Sequence, residues 1–344
     1  MTISTIHLYA QQAPSLTGLP VLPDENGFAG MFAGVSGGKL FCMGGANFPD
    51  KMPWQGGNKK WYDNIYMLED GKKWVKLSQR LTQPIAYGVS VSYQDAIFLI
   101  GGCNRDQHFN RVMSYKWTGK SLEYQEHPPL PIPMAYMAGT IIKDKIIVAG
   151  GMEMPEGTPL RKCFILDLQN LHQGWAEIDP WPGPERVLPV CTSSENDFYL
   201  FSGETTAMNS AGAKLPLILQ DAYRLKIDTT HKNDNYKWQP LFPMPKGVAA
   251  AATPLPVLKD GRFFFWGGVD ALSRLHEDPA TSPGIPDDIL LYDPVKDVWS
   301  FFKKETHFPA RVTLPVVFWK GQWIFISGEV KPGVRTNMIT VLKG

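Results

Sequence analysis

Short apolar runs that end in glycine recur along the whole chain. Four close on a Gly pair: KLFCMGG (39–45), AIFLIGG (96–102), KIIVAGG (145–151) and RFFFWGG (262–268). Two close on Gly-Glu: DFYLFSGE (197–204) and QWIFISGE (322–329). Counted from Gly44, Gly101, Gly150, Gly203, Gly267 and Gly328, the intervals are 57, 49, 53, 64 and 61 residues. A second apolar run precedes the glycine run at 85–91, 134–142, 186–191, 248–257 and 311–318. A third follows a variable loop at 64–68, 111–117, 162–168, 221–227 and 288–292. A fourth often holds a tryptophan: Trp74, Trp175, Trp238 or Trp299. Runs this short, punctuated by Gly, Pro, Asn and Asp, read as strands. Four per unit, repeated six times, predict a set of antiparallel four-stranded sheets. The glycines are expected where one sheet's backbone passes close to the next, and the tryptophans in the wedge between sheets.

The two ends complete the count. After Glu329 only one strand-like run remains, 338–342, so the sixth unit lacks a fourth strand. The run Thr5–Ala10 has no glycine unit of its own and is expected to supply it. The pattern therefore predicts an all-β fold, a six-bladed β-propeller closed by an N-terminal strand, with residues 1–344 as a single domain. Closure removes exposed sheet edges. Long inserts at 46–61, 205–219 and 269–287 join second to third strands, so they should gather on one face, where function on repeat scaffolds tends to lie.

Composition narrows the partners. There are 34 basic and 33 acidic residues, for a net charge of +1, which argues against a nucleic-acid binder or an anionic-membrane binder. No apolar run is long enough to span a bilayer, and the N-terminus lacks a basic region and apolar core typical of an export signal. The expected compartment is cytoplasmic as the chain stands, and periplasmic if a leader has been removed. Cys42, Cys103, Cys163 and Cys191 lie in or beside apolar runs without a C-x-x-C pair, and read as buried core residues. The stretch Gly34-Val35-Ser36-Gly37-Gly38 fits G-x-S-x-G, but a strand follows at once where a nucleophile elbow requires a helix. The seven histidines show no metal-ligand spacing, so neither metal nor cofactor is expected.

The glycine-and-tryptophan repeat resembles the kelch family of β-propellers over essentially the whole chain. The segment Gly328-Glu329-Val330-Lys331-Pro332-Gly333-Val334-Arg335-Thr336 resembles the G-E-x-K-P-G-x-R-T stretch of the sialic acid mutarotases, the N-acetylneuraminate epimerases. The stretches Gly27–Gly34 and Ala86–Ser90 are similar to that family too. Here the Glu-Lys-Pro segment comes last in the chain rather than before the other two, as in the cyclically permuted mutarotase branch. The resemblance implies an isomerase that interconverts anomers of N-acetylneuraminic (sialic) acid, with Glu329 as acid/base and Arg335 associated with the substrate. A mutarotase for another sugar, and a non-catalytic kelch module that binds protein, are the alternatives.

The residues allow that chemistry. Opening a sugar ring takes a proton from the anomeric hydroxyl and gives one to the ring oxygen, work suited to a carboxyl group. Glu329 occupies the place of the second glycine in four other units, which packing does not explain. Pro332 and Gly333 are expected to fold the chain back and aim Arg335 at the same pocket. A guanidinium there would hold a carboxylate by two hydrogen bonds, or else pair with a neighbouring acid such as Glu329 itself. Glu204, which also follows Ser-Gly, is the rival carboxylate. Asn47, Asn104, Arg105 and Arg186 are further candidates for binding an acidic sugar, each with a turn or surface role as the alternative. Trp54 and Trp61 either stack on a sugar or pack the first insert.

Overall fold

A computed structural model describes residues 14–208, 210, 212–228, 235–302 and 307–343. Six sheets account for the blades. The first contains Phe32–Ser36, Lys39–Met43, Ile65–Glu69 and Lys73–Lys76. The second contains Val89–Tyr93, Ala96–Ile100, Val112–Trp117 and Leu122–His127. The third is Ala138–Ile142, Lys145–Ala149, Cys163–Asp167 and Trp175–Ile178. The fourth is Val190–Ser194, Asp197–Phe201, Ala222–Asp228 and Asn235–Pro240. The fifth has three strands, Phe263–Trp266, Ile289–Asp293 and Val298–Phe302. The expected inner strand at 248–257 forms only isolated bridges, from Ala249, Thr253 and Val257. Pro254 and Pro256 interrupt its donors, which denies it a ladder.

The sixth blade contains Val316–Trp319, Gln322–Ile326, Ile339–Lys343 and, outermost, Ser15–Leu19. An N-terminal strand thus closes the ring, pairing from Ser15 with Lys343 to Leu19 with Ile339. It is not the run expected from the sequence. Thr5–Ala10 lies outside the described residues, and the closing strand comes later, in SLTGL, whose Gly18 and polar Thr17 mask its β character.

The tryptophans confirm this register independently. Each outer-strand indole donates to the carbonyl just beyond the outer strand of the preceding blade: Trp175 to Pro128, Trp238 to Asp179 and Trp299 to Phe242, at 2.7–3.0 Å. Trp74 of the first blade donates in the same way to Pro20 at 2.7 Å, directly after Ser15–Leu19. The wedge between neighbouring blades is otherwise filled by apolar clusters, such as Leu40, Cys42 and Tyr66 against Ile324, Ile326 and Val341. All four cysteines are buried and unpaired.

Near the axis the blades are joined by backbone. Gly30, Tyr87, Tyr136, Leu188, Ala250 and Thr313 each have positive φ. Each N–H of this set donates to the carbonyl of the member on the preceding blade, and Gly30 closes the circle by donating to Thr313, all at 2.7–2.9 Å. This collar surrounds an apolar lumen of about 70 Å³, lined among others by Met31, Met137, Leu188 and Leu314.

The glycine pairs lie just outside the collar, and their register corrects one sequence expectation. Gly44 and Gly45 have φ of 63° and 97°, and Ser327 and Gly328 have 56° and 103°. Ser327-Gly328 and Ser202-Gly203 are therefore the equivalents of the pair. Glu329 and Glu204 stand one position later, matching Ala46 and Cys103. The bridges Ala29 to Ala46, Val187 to Glu204 and Val312 to Glu329 show the same alignment. A Cβ at Gly44 would stand 2.4 Å from the Ile85 carbonyl oxygen, so that blade needs glycine. Where serine replaces it, its hydroxyl joins the neighbouring blade: the Phe28 N–H donates to Ser327 Oγ and the Val248 N–H to Ser202 Oγ, both at 2.8 Å.

Candidate functional site

The connections between second and third strands lie on one face, as expected, and contact one another around it. Arg274 of the fifth meets Glu204 of the fourth. Ile285 N–H donates to the Val330 carbonyl of the sixth at 3.0 Å. The sixth touches Pro53 and Trp54 of the first at Gly333. Lys59 of the first lies over Tyr87 of the second blade.

The sixth connection is a two-stranded hairpin, Glu329–Lys331 against Val334–Arg335, with a bulge in its register. Pro332 and Gly333 make its turn. Gly333 has φ of 79°, and a Cβ there would stand 2.6 Å from Pro53, so both conformation and contact demand glycine. The turn sets Glu329 directly across from Arg335. Arg335 Nη2 donates to Glu329 Oε2 at 2.8 Å, and the Gly333 N–H donates to Oε1 at 3.2 Å. The guanidinium lies on the Phe48 ring, 4.8 Å from its centroid. The Arg335 side chain is 5% exposed, and its Nε and Nη1 atoms are buried without a hydrogen-bond partner. Buried donors are normally satisfied, and a guanidinium with two unpaired donors has the geometry that can pair with an anion.

The three stretches that carry the family resemblance meet here. Gly27 packs against the Thr336 carbonyl, Phe28 exchanges hydrogen bonds with Ser327 and Gly328, and Tyr87 takes the Gly30 carbonyl. Below the hairpin, Arg311 is 1% exposed; its Nη1 donates to the Ser327 and Met338 carbonyls and its Nη2 to Thr340 Oγ1. Burial pulls its pKa down to about 9.

The remaining candidates divide. Glu204 forms a bidentate pair with Arg274 at 2.7 and 3.3 Å, the counterpart of the Glu329–Arg335 pair two blades away. Asp270 caps the short helix Ala271–Arg274 that presents this arginine. Asn47 is 1% exposed; its amide donates to the Gly27 carbonyl and accepts from Tyr62, so it braces the first insert. Asn104 accepts from the N–H groups of Asp106 and Gln107, an Asx turn, and Arg105 is exposed on that turn.

Arg186 is the clear departure from the sequence expectation. It is fully buried, pairs bidentately with Asp221 at 2.6 and 2.8 Å, donates to the Ser202 carbonyl and stacks near Trp181 and Tyr223. A guanidinium with these partners holds the fourth blade and does not reach the mouth. Arg186→Met should therefore lower stability by about 3 kcal/mol, toward the low end for breaking a buried pair because Asp221 keeps solvent and Tyr223. Urea denaturation measures this; an unchanged midpoint would refute the structural role.

Sequence reasoning passed over Phe48, Lys59 and Arg274. Their only signal is a place inside or beside the inserts. The mouth also holds Tyr87 and Tyr136, with ring centroids 5.0 Å apart. Burial raises the Tyr136 pKa, which keeps this phenol protonated. The lumen is smaller than the about 300–1,000 Å³ of typical small-molecule sites. Its lining contains neither Glu329 nor Arg335.

Residues 10–124 match the family model described as N-acetylneuraminate epimerase. The N-acetylneuraminate epimerase of Salmonella typhimurium is 46% identical over 98 residues, 25% of each chain. That of Yersinia enterocolitica is 36% identical over 127 residues, 33% of this chain and 31% of the relative. The chain thus matches a quarter to a third of these relatives' length. The solved structure of YjhT superposes with a TM-score of 0.66 at 16% identity, covering 95% of this chain and 99% of that one, which shows a common fold. The part of this propeller that builds the closing strand and the first two blades is similar to the N-acetylneuraminate epimerases.

Proposed function

We propose that this chain is a sugar mutarotase that interconverts the anomers of N-acetylneuraminic acid, with residues 1–344 acting as one propeller domain. The observation that carries this reading is the paired Glu329 and Arg335, a carboxylate held beside a buried guanidinium with two unused donors. Glu329 takes the anomeric hydroxyl proton and returns it to the ring oxygen as the ring C–O bond breaks. The open-chain keto form then recloses on either face by the reverse transfer. Arg335 holds the carboxylate attached to the anomeric carbon, which places that centre next to Glu329. The matching relatives are named N-acetylneuraminate epimerase, which supports the substrate class.

A second reading, a protein-binding face, draws on exposed apolar side chains of the fourth and fifth inserts: Met208, Leu215 and Leu217 with Leu272 and Leu275. It does not account for the Glu329–Arg335 pair.

Proton NMR of freshly released α-sialic acid tests the proposal. With the protein, the anomeric signals should reach equilibrium faster than in buffer, and a neutral hexose should respond less. Identical time courses with and without protein would sink the mutarotase reading. A stronger effect on the hexose would move the assignment to another sugar.

A further inference from the structure

We infer that Lys59 is the second cation of the carboxylate site and, with Arg335, selects an acidic sugar over a neutral one. This rests on the mutarotase reading for the identity of the sugar. The first insert pairs Ala46 with Trp61 and Asn47 with Lys60, and Phe48 and Lys59 directly follow and precede the ends of this short ladder. Phe48 carries the Arg335 guanidinium on its ring, at 4.8 Å. Lys59 holds its ammonium 4.2 Å from the Tyr87 centroid and 5.1 Å from that of Trp61. The end of this insert thus touches Arg335 through Phe48 and holds Lys59 over Tyr87, a residue of the collar that lines the lumen.

Arg335 gives one of its donors to Glu329, and both cations keep N–H donors that the protein does not use. Arg335 keeps Nε and Nη1 free, and Lys59 has no ion pair or hydrogen bond among the described residues. Its neighbour Lys60 is exposed, whereas Lys59 is half-buried on the rings. Aromatic faces fix a lysine's position without consuming its three N–H donors. Two such cations suit the two oxygens of one carboxylate, with Arg335 on one and Lys59 on the other. A neutral sugar or an ester gains little from either.

The test compares binding of N-acetylneuraminic acid and its methyl ester to the full chain by calorimetry. It uses the wild type, Lys59→Met and Lys59→Arg. The methionine keeps the stem over Tyr87 and removes the charge, and matched melting curves confirm folding. Lys59→Met should weaken binding of the acid roughly tenfold, the loss of one charge-assisted contact. The ester should change less than twofold, and Lys59→Arg should recover most of the acid's affinity. Equal weakening of acid and ester would mean that Lys59 only packs, and would overturn the inference. So would unchanged affinity for the acid, or no binding of the acid to the wild type. Anomer exchange is followed by NMR on the same samples. Selective loss of acid binding in Lys59→Met without any exchange activity in the wild type leaves the site standing and removes the mutarotase reading. Exchange activity with unaltered binding in Lys59→Met does the reverse.

Discussion

Glu329→Gln should melt like the wild type and lose its acceleration of sialic acid anomer exchange by roughly 10²–10⁴-fold, the contribution of one placed acid/base group. The side chain keeps its size and one carbonyl oxygen, so the hairpin retains a contact to either Gly333 or Arg335. Proton exchange at the carboxyl is what disappears. Glu204→Gln is the matched control. It loses charge from an equivalent arginine pair, with Arg274, while leaving the hairpin at Glu329 untouched. Full activity in Glu329→Gln with loss in Glu204→Gln would transfer the acid/base role to the fourth blade. Full activity in both would end the proposed mechanism. NMR time courses at several sugar concentrations separate this from Arg335→Ala, whose principal effect should be weaker binding of the acid.

Removal of residues 1–19 should open the ring. The sixth blade would lose the ladder from Ser15 to Leu19 and the packing of Leu16 and Leu19. Five strand residues with about 1 kcal/mol of net hydrogen bonding per bond, and two half-buried leucines, put the loss at about 5 kcal/mol. At roughly 2–4 °C per kcal/mol for a large domain, Tm should fall on the order of 10 °C. The uncovered edge of Ile339–Lys343 should also make the shortened chain self-associate. Calorimetry with size-exclusion chromatography checks both. A truncated chain that melts like the intact one and stays monodisperse would refute the closure seen in the register. A cut that stops before Ser15 leaves every residue of this strand in place.

The blade count was legible because glycine pairs and tryptophans sit at positions that backbone contact and wedge filling dictate in every unit. The closing strand was misplaced because apolarity alone favoured IHLYA over SLTGL. An outermost strand has one face to bury, and its signal is correspondingly weak. The register of Glu329 was misjudged by one residue for a physical reason too. Serine can adopt positive φ when its hydroxyl is held, so Ser327 and Ser202 do the work of the first glycine. Arg186 and Arg335 were both offered by the sequence as partners for an acidic sugar. Only the fold reveals that Asp221 occupies one guanidinium from the core side, while the other keeps two donors free. Lys59 had only its place in the first insert as a signal, since its meaning comes from a tyrosine on the next blade.

The circle of hydrogen bonds from Gly30 to Thr313 runs in a single rotational sense, each amide giving backward and receiving from ahead. Such a loop has a handedness but neither a head nor a tail. Joining the present termini by a linker and opening the chain between any other two blades would keep all six links. The entry point of the polypeptide is then independent of the mechanics at the mouth. Conversely, no one blade can tilt without stretching the link on each side of it. The distance from Glu329 to the aromatic rings of the second blade is in that sense set by the whole circumference, and a loosened blade on the far side should register at the Glu329–Arg335 pair.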